Sequence, residues 1–508
     1  MEPTPAPREL VIVAEPQVSL RAHATEITSL SGVPVESLNA LVRAENVRLE
    51  PLFGLSEDAV DRRFVSTAFD AGEPWSSASL FYRVSAPDSE LDSLAAKFRE
   101  FELVHAAFIK PGVELPFMPS GQVLKPDPLP PVTRDFSDMQ LYLGPAPHGV
   151  DAFAAWTCPG GTGDGIRIID IEGAWRFSHE DLKQNQGGVV GGTQTPEQFW
   201  RSHGTAVLGI ISGDRQAEQN LGIIGICPDA NVRAVSVFGQ PASQTLFDSG
   251  TAAAIRQAAD LLRPGDIMVL EMHSPGPPNF EVRQDQRGYI PIEWWPDNFK
   301  AIQDATRRGI IVVEAAGNGN RSLDEDIFEH QPAPQYGPFP TDWKNPFRRT
   351  NVDSGAILVG AGAPPRVLNN VDHGRELSRM AESNFGSIVD AQGWGQDVTT
   401  SGFGNLQEGL DEDRWYTRDF GGTSAATPMV AAALACVQGA LRKAGRPVLT
   451  PLEARELLAD PKTTTPQVDG DPGSNSLASQ KIGGRPNLKA MLEKKGLLTS
   501  QLLVTHTR

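Results

Sequence analysis

Four residues in the second half of the chain have the types and settings that acyl transfer needs. Asp170 ends the apolar run Ile166-Arg167-Ile168-Ile169-Asp170, and a carboxylate so placed needs a partner to offset its desolvation. His203 opens the small-residue segment His203-Gly204-Thr205-Ala206-Val207-Leu208-Gly209, predicted to be a helix with the imidazole in its first turn. Ser424 lies in Gly422-Thr423-Ser424-Ala425-Ala426-Thr427-Pro428, where Pro428 is a helix-start signal and the small neighbours leave room for a substrate backbone. Asn318 follows the run Ile310 to Ala315 within Ala315-Ala316-Gly317-Asn318-Gly319, where a side-chain amide can donate to an oxyanion. Taken singly, each has a plainer reading: a helix-capping or turn aspartate, a core histidine, an N-cap serine, an Asn-Gly turn. Together they compose a nucleophile, a base, an orienting acid and an oxyanion donor.

Positioning these groups requires strands that end near one another. Beyond residue 135 short apolar runs recur, at Ile166 to Ile171, Val232 to Val237, Ile267 to Met272, Ile310 to Ala315 and Ile357 to Val359, separated by helical segments such as Thr251 to Leu262 and Asn298 to Arg308. Runs without alternation suit strands buried on both faces, so the fold class expected is α/β, a doubly wound and mostly parallel sheet. Chemistry in such sheets gathers beyond the carboxyl ends of the strands, where all four groups fall.

The first 110 residues read differently. Leu10 to Ala14, Val47 to Phe53, Leu80 to Val84 and Val104 to Ile109 are strand candidates, with helices near Val35 to Val42 and after a capping box at Ser89-Glu90-Leu91-Asp92. The order β-α-β-β-α-β predicts a small α+β, ferredoxin-like domain. Prolines 111, 116, 119, 126, 128, 130 and 131 then forbid helix and mark a linker. The expected division is 1–110, a linker over 111–135, a catalytic domain over 136–493 and a tail over 494–508.

Composition excludes several classes. In 508 residues, 63 acidic side chains against 45 basic ones leave a formal charge of −18, which disfavours nucleic acid as a partner. Cys158, Cys227 and Cys436 have neither zinc-finger nor disulfide-framework spacing. The N-terminus has no signal-peptide pattern and no run reaches a bilayer-spanning length, so the expectation is no membrane association and a cytoplasmic location, or secretion by a leaderless route. No serine sits in a Gly-x-Ser-x-Gly elbow, which argues against an α/β-hydrolase lipase or esterase. The glycine run Gly161-Thr162-Gly163-Asp164-Gly165 precedes the first strand, where a dinucleotide-binding loop would follow it.

The motifs resemble those of the subtilisin-like serine peptidases, the subtilase family, peptidase family S8. The likeness rests on Ile169-Asp170 followed by Ser178-His179-Glu180-Asp181-Leu182, on His203-Gly204-Thr205, on Ala315-Ala316-Gly317-Asn318 and on Gly422-Thr423-Ser424-Ala425-Ala426-Thr427-Pro428-Met429-Val430-Ala431. It extends to Ile357 to Ala361, Ser383 to Ser387 and Gly484 to Leu488, from about Gln140 to Glu493. The resemblance implies a serine endopeptidase acting on polypeptides through an acyl-enzyme, with Ser424 as nucleophile, His203 as base and Asp170 as orienting carboxylate. It implies an oxyanion hole made by Asn318 and the Ser424 N–H, and substrate-binding walls at Glu271, Met272, His273, Ser274 and Gly276 and at Ala315, Ala316 and Gly317. By the same resemblance the N-terminal domain is a propeptide that acts as chaperone and inhibitor of a zymogen, with a separate protein inhibitor as another means of restraint. No cofactor is implied for catalysis and no catalytic metal. Structural Ca²⁺ is compatible with the acidic runs Asp324-Glu325-Asp326 and Asp411-Glu412-Asp413.

Two stretches depart from the family pattern. Ile171-Glu172-Gly173 follow Asp170 where a small hydroxyl residue and glycine are usual, which sets Glu172 as a second acid beside the triad. Glu271 and His273 stand where asparagine and serine are common. The changed residues after Asp170 support the alternative of a catalytically silent subtilase-fold binding protein, and those at 271 and 273 bear on substrate preference.

Overall fold

The computed structural model describes residues 4–23, 26–53, 57–58, 60, 78–116, 132–215, 222–239 and 250–498. Most of the Pro-rich linker, 117–131, and the tail from 499 lie outside these residues.

The N-terminal unit is an antiparallel four-stranded sheet. Its strands are β1 (Glu9–Ala14), β4 (Arg48–Pro51), β5 (Phe81–Ser85) and β6 (Val104–Lys110), in the order β4-β5-β1-β6. A hairpin of β2 (Leu20–His23) and β3 (Glu26–Ser29), not foreseen from the sequence, is inserted after β1. Helices α1 (Glu36–Ala44) and α2 (Leu91–Phe98) complete the unit. The capping box expected at Ser89 does not form. A 3-10 turn over Asp88–Glu90 leads straight into α2, whose N-cap Glu90 makes no side-chain capping bond.

Strand β1 is apolar throughout because both of its faces are covered. Leu10, Ile12 and Ala14 pack with Leu38, Leu94 and Phe98 of the two helices. Val11 and Val13 join Phe81 and Phe108 in a second core shared with the larger domain, where Phe108 stacks on Trp295 at 6.3 Å. Period-two alternation sends successive side chains to opposite faces, so one strand serves two cores.

The larger domain is built on a seven-stranded parallel sheet. Its strands are β7 (Arg167–Glu172), β8 (Gln186–Gly191), β9 (Asn231–Ser236), β10 (Ile267–Leu270), β13 (Ile311–Ala315), β14 (Ile357–Gly362) and β15 (Val389–Trp394). Their order is β15-β14-β13-β10-β7-β9-β8. Between β10 and β13 a short antiparallel hairpin pairs β11 (His273–Pro275) with β12 (Tyr289–Pro291). The edge strands β8 and β15 escape the apolar-run pattern: β8 is QGGVVG and β15 carries Asp390, which is paired with Arg349 at 2.6 Å.

Helices cover both faces, as the doubly wound class requires. After the short α3 (Ala152–Trp156), α4 (Gln198–Ser212) and α7 (Thr423–Lys443) lie on one side, and α5 (Thr251–Leu261) and α6 (Pro296–Arg307) on the other. Along β7, Ile168 faces the α4/α7 core and Ile169 and Ile171 the opposite one, which assigns Asp170 and Glu172 to the α4/α7 side by parity. Among the described residues α7 is long and apolar enough to cross a membrane by length and composition, yet its apolar stretch is buried in the fold.

Candidate active site

Strand parity offers the histidine two carboxyl groups, and reach decides between them. Asp170 and Glu172 are two apart on β7 and project from the same face at the carboxyl end of the sheet. His203 sits in the second turn of α4, since the helix begins five residues before it, at Gln198, and not at His203 as expected. Its Nδ1 lies 3.0 Å from Glu172 Oε2, and both side chains are fully buried. Asp170 was expected to orient His203, but its Oδ2 instead accepts the indole Nε1–H of Trp175 at 2.6 Å. The reason is reach: Glu172 stands two residues further along the strand and carries one more methylene.

The carboxyl groups here form a cluster. Glu271 follows β10, in which Val269 lies opposite Asp170, so its carboxyl comes next to those of β7. Burial pushes Asp170 up to about 7, against the hydrogen bond from Trp175. Glu172 and Glu271 are pushed well above the usual carboxylate range, first by burial and then by repulsion from Asp170. Burial also holds His203 down to about 3, so its imidazole is neutral.

Ser424 is the second residue of α7 and has no solvent exposure. Pro428 does not begin this helix but lies inside it, and Thr427 Oγ1 donates to the Thr423 carbonyl at 2.7 Å in the same first turns. Among the described residues the Ser424 hydroxyl has no well-aligned hydrogen bond, and it lies near enough to Glu271 to favour that group's ionised form.

Asn318 is held tightly. Its Oδ1 accepts from the Thr423 N–H at 3.0 Å and from Thr423 Oγ1 at 3.1 Å, and its own backbone N–H donates to His273 Nδ1 at 3.2 Å. Its Nδ2 donates to Gln286 Oε1 at 3.2 Å. Acceptance at Nδ1 makes His273 the Nε2–H tautomer, and burial keeps it neutral.

The cleft is occupied by the chain itself. Residues Val113 to Pro116 are buried, and Glu114 pairs antiparallel with His273: its N–H donates to the His273 carbonyl at 2.9 Å and its carbonyl accepts from the His273 N–H at 3.1 Å. Gln286 Nε2 donates to the Leu115 carbonyl at 2.8 Å. The Ser424 N–H points to the Pro116 carbonyl at 3.4 Å. Glycine is required at 422, because with φ +77° a Cβ there would come within 2.3 Å of that carbonyl oxygen and 2.7 Å of Asn318 Nδ2.

Of the wall residues, His273 pairs with the occupying strand and Ser274 Oγ accepts from Trp295 Nε1 at 3.1 Å. The Gly276 N–H donates to the Gly288 carbonyl. Met272 packs in the core, and Glu271 lies in the carboxyl cluster beside Ser424. Ala315 and Ala316 are buried at the end of β13, and the Gly317 carbonyl accepts from the Asn384 N–H. Sequence reasoning missed Gln286, whose neighbours carry no motif, and it gave Glu172 no role.

The acidic runs do not fit a cation cage. Arg348 bonds Asp324 and Glu329, Arg321 bonds Glu325, and Arg176 and Arg201 take Glu412 and Asp413. Among the described residues no group of three or more His, Cys, Asp or Glu side chains is arranged to hold a metal ion.

The structure thus joins a doubly wound parallel sheet, a buried serine at a helix start and a neutral histidine against a carboxyl group. Residues 162–479 match the model of the Subtilase family, more than half of the chain, and the chain belongs to that family. It is a subtilisin-like serine peptidase that acts on polypeptides. It is 24% identical to an alkaline protease of Alkalihalobacillus alcalophilus over 343 residues, 67% of this chain and 72% of that one. It is 25% identical to subtilisin Savinase of Lederbergia lenta over 278 residues, 54% and 77% of the two chains. A calcium-dependent protease of Trichormus variabilis is 28% identical over 305 residues, 56% of this chain and 40% of that one. Among solved structures, fervidolysin from Fervidobacterium pennivorans aligns with a TM-score of 0.49 at 16% identity, covering 97% of this chain and 62% of that one.

Proposed function

We propose that the chain is a serine endopeptidase held inactive by its own residues 1–116. Ser424 is the nucleophile, and His203 takes its proton and returns it to the leaving amine. Glu172 is the carboxylate that positions and compensates the imidazolium, and Asp170 stands behind it. The Ser424 N–H and Asn318 Nδ2 form the oxyanion hole. Catalysis requires no metal.

The observation that carries this reading is the Pro116 carbonyl against the Ser424 N–H, at the end of a strand paired with His273. An extended segment ending there has the arrangement of the acyl side of a substrate, which makes the bond from Pro116 to Phe117 the self-cleavage site. The N-terminal sheet supports an inhibitory role, because its Val11, Val13, Phe81 and Phe108 face shares one core with the larger domain. Lys110 adds a buried ion pair to Asp297 across the same boundary.

Mass spectrometry of the full chain incubated with casein tests the reading. The expected result is casein fragments together with scission between Pro116 and Phe117, both absent from Ser424→Ala. Equal outcomes for the two proteins would remove the enzyme reading in favour of a silent binding protein.

A further inference from the structure

We propose that Gln286 is a substrate clamp that joins the peptide backbone to the oxyanion hole. The inference rests on the peptidase reading above and extends it to how substrate is gripped. Gln286 is 6% exposed and lies in the loop between β11 and β12, with φ +51°. The loop fixes it through a bond from its N–H to the Arg283 carbonyl at 3.0 Å and one from the Tyr289 N–H to its own carbonyl at 3.1 Å.

Its side-chain amide has two different ends, and both are used. Nε2 donates to the Leu115 carbonyl at 2.8 Å, and Oε1 accepts from Asn318 Nδ2 at 3.2 Å. Turning the amide over would set oxygen against a carbonyl and nitrogen against nitrogen, so the two contacts fix its orientation together. Asn318 is thereby held at Oδ1 by Thr423 and at one Nδ2 hydrogen by Gln286, which leaves the other Nδ2 hydrogen for the reacting carbonyl. A donor fixed in advance needs no reorganisation when charge develops on the substrate oxygen.

The carbonyl that Gln286 grips belongs to the residue before the one that is attacked, and every peptide has it. With the His273 pairing one residue earlier, the site reads backbone over three successive residues. The substrate class this favours is polypeptide in extended form, with the side chain at the Leu115 position left unread by the clamp.

The test uses the self-processed full-length chain and a quenched peptide of residues 112–120, made with the Leu115 carbonyl as oxygen or as sulfur, a weaker acceptor. Wild type should cleave the sulfur peptide about 3- to 10-fold less efficiently, the range one hydrogen bond confers. In Gln286→Ala that difference should vanish and kcat should fall about tenfold, because Asn318 loses a holding contact. Gln286→Glu keeps the acceptor for Asn318 and loses the donor, so it should raise KM, lose the sulfur effect and retain more kcat than the alanine variant. An undiminished sulfur effect in Gln286→Ala, or equal kcat losses in the two variants, overturns the clamp. Wild type that digests casein but leaves the oxygen peptide intact also overturns it. Wild type that cleaves neither points to failure of the peptidase reading itself.

Discussion

Glu172→Gln should lower kcat by between about 10² and 10⁴, whereas Asp170→Asn should lower it by less than about tenfold. Glu172 Oε2 stands 3.0 Å from His203 Nδ1 with both groups fully buried, so the imidazolium formed during attack has this carboxylate as its compensating charge. Removing one partner of a buried pair costs about 3–5 kcal/mol. At about 1.36 kcal/mol per factor of ten, that is the stated range. Loss of the orienting acid in subtilisin costs about 3 × 10⁴ in kcat, an established comparison just above that range.

Asparagine at 170 still accepts from Trp175 Nε1 and removes a like charge from beside Glu172. Its pH–rate profile should therefore shift its acid limb to lower pH, since Glu172 would ionise more easily. Glu172→Asp keeps the charge but shortens the reach by one methylene and should recover part of the loss. The assay is casein or peptide turnover from pH 4 to 9 for the three variants and wild type. A collapse in Asp170→Asn of 10³ or more, with Glu172→Gln within tenfold of wild type, would refute the reasoning and return the role to Asp170.

Two further outcomes follow from how the N-terminal unit is seated. Lys110 pairs with the fully buried Asp297 and, at 3.5 Å, with Glu9, so Lys110→Ala strands Asp297 and should cost about 3–5 kcal/mol of full-chain stability by denaturant unfolding; a loss under about 1 kcal/mol contradicts the buried-pair assignment. Burial pushes Glu114 up to about 7, against the bond from Tyr289, so docking takes up a proton and should be tightest below the free value of about 4.3, weakening by up to tenfold per pH unit as pH rises towards 7. The inhibition constant of a peptide of residues 111–116 on the processed enzyme, measured from pH 4 to 8, reads this directly. Because Asp170, Glu172, Glu271 and His273 face the same cleft, a Glu114→Gln peptide with an equally steep profile would assign the effect to them instead.

The sequence by itself determined the class of the molecule and nominated four residues for its site. Apolar runs without alternation, separated by helical segments, are legible as a parallel sheet because strands buried on both faces cannot carry polar residues at every second position. Asp170, His203, Asn318 and Ser424 stood out because a polar residue at the end of such a run needs a reason. Only the tertiary structure decided which carboxylate reaches the histidine: Asp170 and Glu172 share a strand face, so parity admits both, and a choice between them needs the distance to a helix that begins 26 residues further on. Gln286 and Leu115 are 171 residues apart and meet only because the N-terminal sheet docks by its second apolar face and leads the chain along His273. A one-dimensional pattern shows which face a side chain takes, while contacts closed over such separations depend on how whole layers pack.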